Sequence, residues 1–227
     1  KGSDALILGL GGGTLLKQYN RLGFNTDVIE LDKRVKDVSI EYFNVDPSSN
    51  IKIDDARHAL KTLEKKYDII TFDLFLSETP PSHLLTIESF QEVQSGLKEN
   101  GLLMINFFGF TSGDLGRASR SVYKTLVECG FKTNMCVTPS NDEMGRNLIF
   151  LASLSDLDFT NTNYKEPFIP AITNLEKHFL DASKMDFSDA VLLTDDQPIM
   201  EHLYADAALE WRKASNFAYA EKFINKL

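Results

Sequence analysis

The passage from Ala5 to Thr14 restricts the fold more than any other. An apolar, β-rich run, Ala5-Leu6-Ile7-Leu8, opens into Gly9-Leu10-Gly11-Gly12-Gly13 and then into a segment of helical period starting at Thr14. A glycine-rich turn there lets backbone amides at a helix start approach a ligand without side-chain obstruction, the arrangement of strand-turn-helix units in open α/β sheets. The alternation continues downstream. The pattern predicts strands over Ala5–Leu8, Asp27–Glu30, Ile51–Ile53, Asp68–Phe72 and Leu102–Phe107. Helices are expected over Thr14–Leu22, Lys33–Phe43, Arg57–Lys65 and Ile87–Leu97, the last leaving through Asn100-Gly101. A further helix over Gly113–Cys129 and two strands, Phe131–Val137 and Asn147–Ala152, enclose the polar loop Thr138–Arg146. The expected fold class is therefore α/β, a seven-stranded and mostly parallel sheet with an antiparallel edge pair and helices on both faces.

Beyond Ser153 the alternation stops, which divides the chain into an α/β core over 1–153 and a mainly helical extension over 154–227 packed on the same domain. Leu154–Tyr164, rich in Asp, Asn and Thr, reads as a linker. Helices are predicted over Ala171–Ala182 and Asp206–Lys226; between them Val191-Leu192-Leu193 breaks into Thr194-Asp195-Asp196-Gln197-Pro198, a turn. At 227 residues the chain is long enough for one well-filled core.

Charge narrows the partners. With 33 acidic against 24 basic residues the net charge is −9, and no basic tract offsets it, so nucleic acid is excluded as an expected partner. The longest apolar run, Gly101 to Phe110, is interrupted by Asn106 and is about half of what a bilayer-spanning helix requires, so no membrane span is expected. Lys1-Gly2-Ser3-Asp4 lacks the features of a signal peptide and runs straight into a strand, the start expected of a piece lacking its upstream part. Cys129 and Cys136 form neither a disulfide framework nor a CxxC pair. A cytoplasmic location follows as the expectation.

The candidate binding groups sit at strand ends. Gly9, Gly11 and Gly13 offer backbone to a ligand, and Glu30, closing the second strand, can accept hydrogen bonds from both hydroxyls of a ribose. The turn ends in neither Gly-Lys-Ser/Thr nor Gly-x-Gly-x-x-Gly, because Thr14 stands where the third glycine belongs, which favours a neutral or cationic nucleoside over a nucleotide phosphate. Asp32 is placed to cap the following helix. Asp54 and Asp55 close the third strand, where one of them either accepts the adenine amino hydrogen or caps the next helix. Asp73 closes the fourth strand, where it either lies in a loop or holds and deprotonates an amine. The loop Ser77–His83 is stiffened by Pro80 and Pro81 and reads as a lid, with Glu78 and His83 as further candidates. His58, His178 and His202 show no metal-ligand spacing, and no metal is expected.

Taken together, Ala5 to Thr14, Val28 to Asp32, Asp54 to Arg57 and Tyr67 to Asp73 resemble the motifs of the spermidine synthase family of aminopropyltransferases, notably its shorter or membrane-fused bacterial relatives. The likeness covers Ala5 to Ala152, and Leu193 to Asp196 with Pro198 is similar to the family's C-terminal signature. The resemblance implies the Rossmann-like class I methyltransferase fold and S-adenosylmethionine or its decarboxylated form as donor. It further implies a small amine such as a polyamine as acceptor, and a homodimer. By it, Glu30 would bind ribose, Asp55 adenine, and Asp73 would activate the amine. Three departures bear on the acceptor. Gly12 replaces the Asp of the glycine turn, Leu76 stands where a second active-site Asp belongs, and the family's N-terminal β-domain is not in this sequence. A methyltransferase acting on another acceptor, and a nucleoside-binding module without catalysis, therefore stay open as alternatives.

Overall fold

The first strand, β1 (Asp4–Leu8), is buried on both sides: Ala5 and Ile7 join one apolar cluster, Leu6 and Leu8 the other. With side chains alternating across the strand, such a run belongs at the centre of a parallel sheet covered on both faces. The computed structural model, which describes residues 2–74, 81–140, 142–159 and 175–224 (side chains of 175 and 215–224 excepted), bears this out.

On one side of β1 lie β2 (Asn25–Glu30) and β3 (Asn50–Ile53); on the other lie β4 (Tyr67–Phe72) and β5 (Leu97–Phe108), all parallel. Two antiparallel strands, β6 (Lys132–Val137) and β7 (Asn147–Ser153), extend the sheet beyond β5, giving the seven strands expected. An eighth of two residues, β8 (Phe179–Leu180), pairs with β6, so the order is β3-β2-β1-β4-β5-β7-β6-β8. Because the chain leaves β1 in one direction and returns through β4 to build in the other, a crevice opens at the carboxyl ends of these two strands.

Helices α1 (Thr14–Arg21) and α2 (Lys33–Phe43) close one face through Leu16, Tyr19, Val35 and Ile40. The opposite, larger cluster is covered by α3 (Ala56–Lys61), α4 (Ile87–Gly96), α5 (Arg117–Glu128) and α6 (Met200–Ile224). The predicted caps form: Asp32 accepts from the Arg34 amide at 2.8 Å, and Asp55 from the His58 amide at 2.9 Å. Among the described residues no helix is long and apolar enough to cross a membrane.

Three expectations are corrected. Helix α4 stops at Gly96, and Asn100-Gly101 lies within β5, whose start at Leu97 is captured by pairing with Tyr67. The helix predicted over Ala171–Ala182 falls partly outside the described residues; within them, the chain forms a 3-10 turn at Leu175–His178 and then β8, because Phe179 and Leu180 pair with Cys136 and Met135. The last helix begins at Met200 rather than Asp206, since Met200, Leu203, Tyr204 and Ala207 form a buried stripe against the core.

Candidate active site

Three strand ends converge on the crevice. Gly9 has φ 94°, and a Cβ there would overlap the Asp73 carbonyl oxygen, so only glycine lets the turn after β1 press against the end of β4. The Gly9 amide donates to the Ile29 carbonyl at 2.8 Å and the Asp73 amide to the Leu8 carbonyl at 2.9 Å, which fixes the acids of β2 and β4 relative to one another.

Glu30 is oriented by backbone. Its Oε2 accepts from the Leu10 amide at 3.0 Å and its Oε1 from the Asp32 amide at 2.9 Å. A carboxylate has about four acceptor sites, so each oxygen keeps capacity for a ligand hydroxyl. Across the crevice, Asp73 Oδ1 accepts from Asn106 Nδ2 at 2.9 Å, which leaves its other oxygen for a donor. Beneath them Tyr19 and Thr71 share a buried hydroxyl-hydroxyl hydrogen bond of 2.8 Å; burial pushes the Tyr19 pKa up, and the nearby Asp73 charge adds to that rise.

The third wall is more committed. Asp54 Oδ1 accepts from the Asp55 amide at 2.9 Å and meets His58 Nδ1 at 2.8 Å, while Oδ2 pairs with Lys52 Nζ at 2.6 Å. The Lys52 hydrogen bond, more than the His58 one, holds the Asp54 carboxyl below the usual range. Asp55 uses Oδ1 to cap α3, and its Oδ2 lies 3.9 Å from His83 Nε2.

These groups line one cavity of about 570 Å³, within the roughly 300–1,000 Å³ of small-molecule sites. Of the residues singled out from sequence it collects Gly9, Gly11, Glu30, Asp54, Asp55, Asp73 and His83, walled by Ile29, Leu31, Val35, Leu74 and Leu84. Gly13, the third glycine singled out, is not among the residues that line the cavity. At φ 69° it precedes α1, and a Cβ there would overlap Val45, so it serves helix packing. Glu78 and Leu76 lie outside the described residues. Glu30, Asp32, Asp54, Asp55 and Asp73 bring five carboxylates to the lining, and no Lys or Arg is among the described residues that form it. Among the described residues no group of three or more His, Cys, Asp or Glu is arranged to hold a metal ion.

Two partners of the site are not evident from sequence motifs. Asn106 interrupts an apolar run, and a lone amide beside an acid-ended strand is the signal that points to it. Arg57, buried in α3, binds Glu92, the His83 carbonyl and Asp195, and so ties the 194–197 turn and the cavity-side loop to α3 and α4. The acidic turn at Asp195 is thus a fastening as well as a turn.

Comparison with known proteins agrees with this geometry. Residues 1–107 match the spermine/spermidine synthase domain. The polyamine aminopropyltransferase of Vibrio vulnificus is 36% identical over 110 residues, 45% of this chain and 37% of that protein. An N-terminal histidine N-methyltransferase of Emericella nidulans is 29% identical over 137 residues, 58% of this chain and 24% of that one. The chain therefore spans well under half the length of either relative. A spermidine synthase solved in complex with the transition-state analogue AdoDATO superposes with a TM-score of 0.61 at 21% identity, over 78% of this chain and 64% of that one. The chain thus has the fold of the solved spermidine synthase, with the sheet order described above, and its first 107 residues, just under half of the chain, match the spermine/spermidine synthase domain.

Proposed function

We propose that the cavity binds an adenosyl sulfonium nucleoside and that the protein transfers an aminopropyl group from decarboxylated S-adenosylmethionine to a small amine, with Asp73 as the base. The observation that carries this reading is the placement of Glu30 and Asp73 in one cavity whose described lining holds five carboxylates and no lysine or arginine. Glu30, both oxygens preset by backbone amides, suits the two ribose hydroxyls. The apolar wall of Ile29, Leu31 and Val35 suits the adenine base, with Asp55 Oδ2, which does not cap the helix and lies 3.9 Å from His83 Nε2, as acceptor for its amino group.

The charge of the lining favours a donor without a carboxylate: Asp54 is already paired with Lys52 and Asp32 with Arg34, so a carboxylate entering beside Glu30 and Asp73 would meet like charge and no lysine or arginine of the described lining. In the reaction, Asp73 takes a proton from the acceptor ammonium, and the freed nitrogen lone pair attacks the carbon next to sulfur. The carbon-sulfur bond breaks with its electrons going to sulfur, leaving a neutral thioether, methylthioadenosine. The lengthened amine departs, and Asp73 returns its proton to water. Positioning and base catalysis supply the acceleration. Names of relatives agree with this class: one is a polyamine aminopropyltransferase, and the solved neighbour holds AdoDATO.

A second reading, methyl transfer from S-adenosylmethionine to an amine, is favoured by the likeness to the N-methyltransferase and by Gly12, which leaves the turn without the acid expected there. Both readings give Asp73 the same task. Calorimetric titration with S-adenosylmethionine, its decarboxylated form and methylthioadenosine, followed by putrescine or spermidine, separates them. Tighter binding of the decarboxylated donor with methylthioadenosine released supports aminopropyl transfer; tighter binding of the carboxylated donor moves the reaction to methyl transfer; binding of none of the three refutes both.

A further inference from the structure

We infer that Asn106 is the positioning residue for Asp73 and that Asn147 buttresses the Asn106 amide from its oxygen end; the inference rests on the function proposed above. Asn106 stands on β5 and donates from Nδ2 to Asp73 Oδ1 at 2.9 Å. Its Oδ1 accepts from Asn147 Nδ2 at 3.1 Å. A carboxylate only accepts, so Asp73 takes the nitrogen end of the Asn106 amide, and Asn147 supports that orientation by donating to the oxygen end. Asn106 carries no titratable proton and so cannot replace Asp73 as a base. It holds one oxygen of Asp73 in a charge-assisted hydrogen bond, and the proton of the incoming amine is received on the other.

The position of Asn147 is itself anchored. It begins β7 opposite Phe108, and its backbone amide donates to Thr138 Oγ1 at 2.8 Å. The preceding residue, Arg146, binds the Gly109 carbonyl at 2.9 Å and Glu143 at 2.7 Å. The hairpin that joins the two antiparallel strands is thereby fastened to the end of β5, and through Asn147 and Asn106 it reaches the reacting side of Asp73. None of these groups lines the wall that carries Glu30, Asp54 and Asp55. Their effect is therefore expected on turnover and not on the nucleoside.

The test uses three variants of the full chain, with decarboxylated S-adenosylmethionine and putrescine for turnover and methylthioadenosine for binding. Asn106→Ala lowers kcat about tenfold to a hundredfold, the worth of one hydrogen bond to a charged group, with the methylthioadenosine Kd unchanged. Asn147→Asp is the sharper probe, because it alters an exposed side chain and leaves the core intact. A carboxylate there can only accept, so it competes with Asp73 for the single Asn106 NH2 group and repels its oxygen; kcat falls by up to about tenfold, again with Kd unchanged. Asn147→Ala, which neither competes nor repels, loses less than Asn147→Asp. Equal kcat for the two Asn147 variants, or an Asn106→Ala variant that weakens methylthioadenosine while keeping kcat, overturns the inference alone. A wild-type chain that binds methylthioadenosine without turning over, or binds nothing, overturns the proposed reaction and the inference with it.

Discussion

Replacing Arg57 with Met keeps the aliphatic stem packed and removes the guanidinium, so it isolates the fastening between α3, α4 and the 194–197 turn. Arg57 is 8% exposed in its side chain, Glu92 21% and Asp195 40%. Removing one partner of a buried ion pair costs about 3–5 kcal/mol. Here the loss falls at the lower end, because Asp195 is more than a third exposed and regains water, so its share is discounted to the ~1 kcal/mol or less of a surface pair. Glu92 and the His83 carbonyl, which also loses its charged donor, carry the rest. The expected cost is about 3 kcal/mol, which in a chain of this size corresponds to a Tm lowered by roughly 6–12 °C. Urea unfolding followed by circular dichroism reads the first quantity and calorimetry the second. Asp195→Asn alone should cost about 1 kcal/mol, and in the Arg57→Met background close to nothing, since the two residues act through one contact. A loss below about 1 kcal/mol for Arg57→Met, or full additivity in the double variant, would refute the reasoning.

Glu30→Ala should weaken methylthioadenosine binding by about 1–3 kcal/mol through the loss of charged hydrogen bonds; unchanged affinity in the folded variant removes the ribose role. Asp73→Asn should retain the nucleoside and lower turnover by about 10²–10⁴, measured as methylthioadenosine release, whereas wild-type turnover takes Asp73 out of the mechanism. Gly9→Ala should destabilise the fold by at least about 1–3 kcal/mol, because it combines left-handed strain with overlap on the Asp73 carbonyl; a urea midpoint equal to the wild type contradicts the close approach described. Arg57 and Arg120 hold the Asp195 and Asp189 carboxyls below the usual range. A depressed native pKa gives stability that is complete above the unfolded value of about 3.9 and is lost as pH falls through the native one. The urea midpoint should therefore drop on acidification below about pH 4, and less steeply in Asp195→Asn; the same slope in both excludes this pair as a source.

The first half of the sheet was legible because each of its elements is specified locally. β1 declares itself by burial on both faces, the turn by its glycines, and α2 and α3 by the acids that cap them. The cavity acids were legible for the same reason: strand ends at the carboxyl edge of a parallel sheet share one side. What failed depends on distant partners. Lys98-Glu99-Asn100 has loop composition, yet the strand pairing that begins at Leu97 carries it into β5. Phe179 and Leu180 look helical until β6 offers them an edge. Gly13 shares its composition with Gly9 and Gly11, and only the position of Val45 separates packing from binding. Arg57 and Asp195 lie 138 residues apart, a separation over which no local pattern connects them.

The reversal of strand order between β1 and β4 also divides the genetic encoding of the site. The wall with Glu30, Asp54 and Asp55 is written entirely before residue 57, whereas Asp73, Asn106 and Asn147 belong to the other wing of the sheet. On the function proposed above, the donor and the acceptor are thus read by separate stretches of chain that meet only at one crevice. Recombination between relatives can then exchange the acceptor wing while inheriting the nucleoside wing whole, a route by which one ancestral pocket could come to serve different transferred groups.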